Sequence, residues 1–309
     1  MSDRVLKKVQ EASDDQTAYE AQQQLKSIYH RLRSRQKLEE AYELLSKGCI
    51  SHIANGQMTC AGELGRLLVD AYSRDQCLPD NEHAARVLKI LNDLEQKQPA
   101  LSSAAKVQAA SEGSQIAKGA LKWAKQQGDN ADLVRQIHNR AAKLQADSGA
   151  LPALAAASAH YARGDDSTAF ASALASAAQR APHCERDLFA ARAILQVLAA
   201  ARDQELQERT AYARAVLEHF DRKVNDPENP QSPLMHFLDG LLKAASSRSA
   251  ALLQLLEREY RPSLFRDGEL LAMLEVVKQK HFGMQRAGLG GLLGSLFQNL
   301  GSDPAIASA

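Results

Sequence analysis

The sequence predicts an all-α protein built as an α-solenoid of tetratricopeptide-like helical hairpins, in two lobes with a flexible C-terminal tail. Three observations carry this. Hydrophobic residues make up 45% of the 309 positions but aromatics only 5%, and the apolar share is dominated by Ala and Leu, the profile of helix formers rather than strand formers. Apolar residues recur at steps of three and four along most of the chain, which places them on one helical face. Short amphipathic segments separated by turns can bury their stripes only against neighbours, as in repeat proteins.

The first hairpin pairs Ala21, Leu25, Ile28 and Leu32 with Leu38, Ala41 and Leu45, across a break at Ser34 to Gln36. Gly48 is expected at the C-terminus of the second helix, where positive φ is wanted. Leu64, Leu67, Leu68 and Ala71 mark a third helix, ended by the turn Cys77-Leu-Pro-Asp80; Ala84, Val87, Leu88 and Leu91 mark a fourth, ended before Pro99. Further helices are predicted over 104–125, 131–145, 151–162, 168–180 and 186–200. No strict repeat period is readable. The stretch Asn225 to Pro233 holds three prolines and cannot be helical, so it is expected as a projecting loop. Helices resume at Leu234, Phe237, Leu238, Leu241 and Leu242, then over 249–259 and 267–280. The expected organisation is an N-terminal lobe over 1–150, a C-terminal lobe over 151–284 and a glycine- and leucine-rich tail over 285–309.

A net charge of +1 gives no general reason to expect nucleic acid or membrane binding. The four cysteines are widely spaced, the opening residues lack the apolar core of a signal peptide, and no run approaches the roughly 18 apolar residues of a membrane span. A cytosolic chain with reduced thiols and no direct membrane insertion is therefore expected. Catalytic constellations are missing: Gly288-Leu-Gly290 with Gly294 is misspaced for a dinucleotide loop, and Cys49, His52 and Cys60 lack the second close pair a zinc site needs. No enzyme activity, metal or cofactor is expected. Arg4, Lys7, Lys8, Lys26, Arg31, Arg33, Arg35 and Lys37 concentrate in the first hairpin and its approach. They read as a solvated face or as a surface for an acidic protein; stacking aromatics are too sparse for nucleic acid.

Several motifs, collinear along almost the whole chain, resemble one family. Tyr19-Glu-Ala-Gln-Gln-Gln-Leu-Lys-Ser-Ile-Tyr-His-Arg31 with Glu40-Ala-Tyr-Glu-Leu-Leu-Ser-Lys-Gly48, Gly56-Gln57 with Ala61-Gly-Glu-Leu64, Ala120-Leu-Lys-Trp-Ala124 and Phe189-Ala-Ala-Arg-Ala-Ile-Leu-Gln196 are similar to guided entry of tail-anchored proteins factor 4, the Golgi-to-ER traffic protein 4 family. Tyr260-Arg-Pro-Ser-Leu264, Arg266-Asp267, His281-Phe-Gly283 and Gly290-Gly-Leu-Leu-Gly294 look like its animal-type members. Departures are the alanine-rich stretch from 126 to 181 and the proline loop, which stands where fungal members have an apolar hairpin.

The resemblance implies a cytosolic adaptor that hands tail-anchored membrane proteins to a targeting ATPase. Its N-terminal lobe would dock the ATPase, with Lys26, His30, Arg31 and Arg35 as the contact candidates. Its C-terminal lobe would hold a ubiquitin-like factor or a Bag-family scaffold, with Leu252, Leu255, Leu256, Tyr260, Leu271, Leu274 and Phe282 as groove candidates; those leucines also fit an ordinary core. Leu292, Leu293, Leu296 and Phe297 are candidate tail contacts. Two rivals stay open: a scaffold subunit of another chaperone or proteasome-related complex, and a nucleic-acid-binding solenoid with salt-sensitive affinity.

Overall fold

The computed structural model describes residues 2–12, 14–128, 130–149, 153–224 and 232–284; these are helical almost throughout, with no strand among them. They form two compact units, one of residues 1–181 with 218–224 and one of 182–217 with 225–309.

In the first unit the helices are α1 (Ser2–Glu11), α2 (Asp15–Ser34), α3 (Leu38–Ala54), α4 (Met58–Arg74), α5 (Asn81–Lys97), α6 (Ser103–Gln127), α7 (Ala131–Ala146), α8 (Ala153–Tyr161) and α9 (Ser167–Ala178). Each of α2 to α4 packs on the next in the chain, and α2 also meets α4, α4 meets α6, α3 meets α5 and α5 meets α7. Even and odd helices therefore lie in two layers, the arrangement of a helical-repeat stack. The expected boundary at 150 falls inside this unit, because α7 packs along α8 across it.

Helix starts follow from capping side chains. Asp14 Oδ1 accepts from Thr17 N at 2.8 Å, Asp80 Oδ1 from His83 N at 2.9 Å, Asn130 Oδ1 from Leu133 N at 3.0 Å and Asp166 Oδ1 from Ala169 N at 2.8 Å, each satisfying an otherwise orphaned amide. The stops repeat. Gln36, Gly56 and Gln76 have φ of 60°, 79° and 54°, and the following amides of Lys37, Gln57 and Cys77 return to Leu32, His52 and Tyr72 O at 3.0, 2.9 and 3.0 Å. These are three successive left-handed caps.

Gly48 corrects the expectation of a helix end. It lies inside α3, buried, where a Cβ would stand 2.6 Å from Leu25 Cδ1. Its role is close approach of α3 to α2, not positive φ. Leu25, Tyr29, Leu45, Leu64, Leu68, Ile90, Ile116 and Trp123, all fully buried, belong to one core, each larger side chain contributing about 1.5–3 kcal/mol by burial.

In the alanine-rich stretch His138 Nδ1 lies 2.9 Å from His160 Nδ1, joining α7 to α8, so one ring donates and the other accepts. Burial, aided by the charge of Arg163, lowers the pKa of His160. Burial also lowers that of His52, against the opposing hydrogen bond to Gln57. Both unfolded rings titrate near 6.5. A depressed folded pKa gives stability that is fully present above that value and lost as pH falls through the folded one. Denaturant unfolding of the first unit should therefore weaken between pH 7.5 and 5.5, and His160→Gln should flatten part of that slope. A unit that grows more stable on acidification would contradict the lowered pKa values of His160 and His52.

The second unit contains α10 (Arg186–Ala200), α11 (Leu206–Val224, of which residues up to 217 belong here), α12 (Pro233–Ser247), α13 (Ala250–Glu259), the single turn α14 (Arg261–Leu264) and α15 (Gly268–Phe282). α10 packs on α12 and α15, and α12 on α13. Leu270, Leu274, Val277 and His281 are the buried residues of α15, and His281 Nε2 bonds Leu198 O of α10 at 2.8 Å. Residues 225–231 of the proline stretch lie outside the described residues. Pro233 departs from the expectation for that stretch: it opens α12, behind an N-cap Ser232 that accepts from Met235 N at 3.3 Å, because the first helical position needs no proline N–H.

Candidate functional site

The basic candidates all lie on the second half of α2 and its end, and the fold treats them differently. Lys26 is half-buried and pairs with Glu63 of α4 at 2.5 Å, while Gln22 Nε2 donates to the same carboxylate oxygen at 2.9 Å. The Lys26 hydrogen bond holds the Glu63 carboxyl below the usual range. Lys26 is thus committed to an internal bridge. His30, Arg31 and Arg35 are exposed. His30 meets the Tyr29 ring edge-on at 5.0 Å, and Arg35 follows the last helical residue, its amide bonding Leu32 O at 3.1 Å.

Arg33, between Arg31 and Arg35 in sequence, explains how this end is held. Its guanidinium donates to Asp75 at 2.5 and 2.8 Å, and Tyr42 Oη donates to Asp75 Oδ2 at 2.6 Å. Burial opposes the Asp75 charge, but these hydrogen bonds outweigh it and keep its carboxyl below the usual range. The bidentate pair fixes the rotation of α2, along which Arg31 and Arg35 are exposed. Elsewhere in the basic set, Lys8 bonds Gln24 at 3.3 Å, Lys7 lies 3.7 Å from Glu11 and Lys37 pairs with Glu40 at 2.6 Å. Lys7, Lys26, Arg33 and Lys37, half of the eight cations named, are paired with carboxylates, so the outward charge is narrower than the count of cations.

Behind this end lies an aromatic cluster. The Tyr42 and Tyr72 rings meet edge-on at 5.0 Å, Tyr72 and Trp123 lie 5.1 Å apart, and Trp123 Nε1 donates to Cys77 O at 2.7 Å. Cys49 is elsewhere, buried, its thiol donating to Ala61 O at 3.2 Å, and His52 Nδ1 bonds Gln57. Among the described residues no group of three or more His, Cys, Asp or Glu is placed to hold a metal ion, and no helix is long and apolar enough to cross a membrane.

On the second unit the groove candidates separate. Leu274 is 1% exposed and faces α10; it is core, on the 270–274–277–281 stripe, and is withdrawn from the groove. Leu252, Leu256, Tyr260, Leu271 and Phe282 are half-buried, and Leu255 is 46% exposed. Leu256 reaches under Gly240 of α12, where a Cβ would stand 2.6 Å from its Cδ2, and the Tyr260 ring lies 6.0 Å from that of Phe237. Lys278 bridges Glu257 of α13 and Glu275 at 2.9 and 2.5 Å. The structure adds two residues that sequence reasoning missed: Phe265, 58% exposed with the Arg261 guanidinium 5.2 Å from its ring centre, and Val276, 46% exposed. Val276 had a signal, since it falls off the buried stripe. Phe265 had none. Leu292, Leu293, Leu296 and Phe297 lie outside the described residues.

A two-layered helical-repeat unit and a second helical unit, with no strand among the described residues, define an all-α protein of the helical-repeat class. Comparison with known proteins narrows the class. The family model for Golgi to ER traffic protein 4 matches residues 35–300, and the chain belongs to that family. The Golgi to ER traffic protein 4 homolog of Dictyostelium discoideum is 24% identical over 306 residues, covering 97% of this chain and 91% of the relative. Protein GET4 of Arabidopsis thaliana is 23% identical (96% and 95% covered), as is the human homolog (96% and 86%). The crystal structure of C. therm. Get4 superposes with a TM-score of 0.73 at 21% identity, covering 99% of this chain and 96% of that one. The all-α fold expected from the sequence is that of the family.

Proposed function

We propose that this chain is a non-catalytic cytosolic adaptor in the targeting of tail-anchored proteins to the ER, bridging the targeting ATPase to a ubiquitin-like factor or Bag-family scaffold. The observation that carries the reading is family membership over residues 35–300, which supports a role in that pathway. Two surface features support the finer assignment. Arg31 and Arg35 with His30 form the basic end of α2 and suit an acidic face of the ATPase, where charge speeds and orients docking. The exposed Leu255 of α13 and Val276 of α15 suit an apolar segment of the second partner.

Reversing Arg31→Glu together with Arg35→Glu should weaken binding to the purified targeting ATPase about tenfold or more, chiefly through association rate and with strong salt dependence. Thermal unfolding should fall only modestly, by about 0.3–1 kcal/mol per reversed charge, since both side chains are exposed but stand at the end of α2, where the helix dipole favours cations. Lys26→Glu is the contrast: placed against Glu63 it should lower stability, because its charge works inside the unit. Unchanged affinity in the double reversal would remove this end of α2 from the interface.

A further inference from the structure

Positive charge on the first unit does not stop at α2. Helices α2, α4 and α6 are successive members of one layer, and polar pairs cross both seams between them: Lys26 with Glu63 at 2.5 Å, and Arg66 with Glu112. On α4 the residues of these pairs, Glu63 and Arg66, continue at helical steps into Asp70 and Arg74, both exposed. On α6 the buried side runs through Ile116, Ala120, Trp123 and Ala124. Lys118, Lys122 and Lys125 stand at i, i+4 and i+7 on the opposite side, all exposed. Among the described residues no hydrogen bond or ion pair engages these three lysines.

The register of the layer brings the cations to one end. Arg33 of α2 bonds Asp75, just past α4, at 2.8 Å. A Cβ on Gly119 of α6 would stand 3.2 Å from Val69 Cγ1 of α4, and Trp123 Nε1 of α6 donates to Cys77 O at 2.7 Å. Arg74 therefore lies between the end of α2, with Arg31 and Arg35 exposed, and the lysine half of α6.

Helix dipoles account for part of this only. Arg74 and Lys125 fall in last turns, where cations are favoured, but Lys118 and Lys122 stand further in, where the effect has faded. Size points the same way. A stable interface covers roughly 800 Å² on each partner, more than one helix end offers, whereas three helices packed side by side span about 20 Å. The signs of charge select the occupant. Asp70 interrupts the cations, and Asp15 and Glu20 are exposed toward the other end of α2. A bilayer or a nucleic acid presents one sign and is repelled by these acids, while a folded protein surface can complement both.

We propose that Arg74, Lys118, Lys122 and Lys125 continue the basic end of α2 into one docking surface for an acidic protein partner. The inference deepens the docking reading of α2 and rests on it: the partner is the targeting ATPase proposed above, held across three helices.

Affinity of the full-length chain for the purified targeting ATPase, at low and high salt, tests this. Lys118→Glu/Lys122→Glu/Lys125→Glu should weaken binding about tenfold or more at low salt, mainly through association rate, and the gap should narrow at high salt. The corresponding triple Lys→Gln variant should lose less, about threefold, and keeps the test readable should the reversal lower stability. Unchanged affinity in both triple variants, with Arg31→Glu/Arg35→Glu still weakened, overturns the inference and leaves the α2 reading standing. Loss in the lysine variants alone keeps the row and removes the end of α2 from the interface. A wild-type chain that does not bind the ATPase at all overturns the docking reading and the inference with it. Phosphatidylserine vesicles and a single-stranded RNA are titrated with the same chains. Row-dependent binding of either, with ATPase affinity independent of the row, assigns the lysines to a polyanion and overturns the proposal.

Discussion

Replacing Trp123 with alanine is expected to destabilise the first unit by about 3–5 kcal/mol, the range for a large buried aromatic. Trp123 is fully buried, and its loss acts in two ways. It opens a cavity beside Tyr72, whose ring lies 5.1 Å away, in the cluster that also contains Tyr42. It also removes the donor 2.7 Å from Cys77 O, the carbonyl of the residue that closes the left-handed cap after Gln76. Trp123→Phe should separate these parts, keeping most of the packing and giving up the hydrogen bond for about 1 kcal/mol. Because Tyr42 also donates to Asp75, the partner of Arg33, Trp123→Ala should loosen the end of α2 and, under the function proposed above, weaken docking of the targeting ATPase as well. Far-UV circular dichroism against denaturant provides the stability measurement. A loss under about 1 kcal/mol would show that α6 does not brace this end.

How much of this was legible in the sequence depended on how helices bury themselves. Stripes of Leu, Ile and Ala announced α2 to α10 and α12, α13 and α15 because those helices bury apolar residues at regular spacing. α1 was missed since, among its described side chains, Val5 and Val9 alone are buried, too few to make a stripe. α11 was missed because buried Arg209 and Thr210 interrupt its line of Leu206, Ala213, Val216, Leu217 and Phe220. The repeat was hidden for a different reason. The left-handed caps at positions 36, 56 and 76 stand at an even spacing, but two of the three residues are Gln, which carry no signal of positive φ.

The same logic separates what was readable in the candidate surfaces. Periodicity gives a residue's helix face but not its partner: Lys26 looks like the other cations of α2 in sequence, and only the fold shows that Glu63, 37 positions away, takes it. Leu274 and Leu271 are likewise equivalent as letters. The stripe through Leu270, Leu274, Val277 and His281 sends one into α10 and leaves the other at the edge. Phe265 escaped notice because it lies in a turn, where neither helical nor strand periodicity applies.

Arg266→Ala should be the most damaging surface-level change in the second unit. Arg266 Nη1 and Nη2 donate to Asp187 at 2.7 and 3.0 Å, and Nη2 also reaches Cys184 O. Asp187, 9% exposed in the first turn of α10, accepts from Ser232 Oγ at 2.7 Å as well. One carboxylate therefore ties the start of α10 to the N-cap of α12 and to the turn after α14. Removing the guanidinium leaves a buried charge short of its partner, which costs about 3–5 kcal/mol when the pair is fully buried. The Arg266 side chain is 35% exposed, so water compensates in part and about 2–3 kcal/mol is expected. Adding Asp187→Asn to Arg266→Ala should recover part of that loss, because a neutral amide needs no cation, and the coupling in the double-mutant cycle should exceed about 1 kcal/mol. Simple additivity of the two changes would mean that the carboxylate and guanidinium act separately, and that the α13–α15 face is held in place by its apolar contacts with α10 and α12 alone.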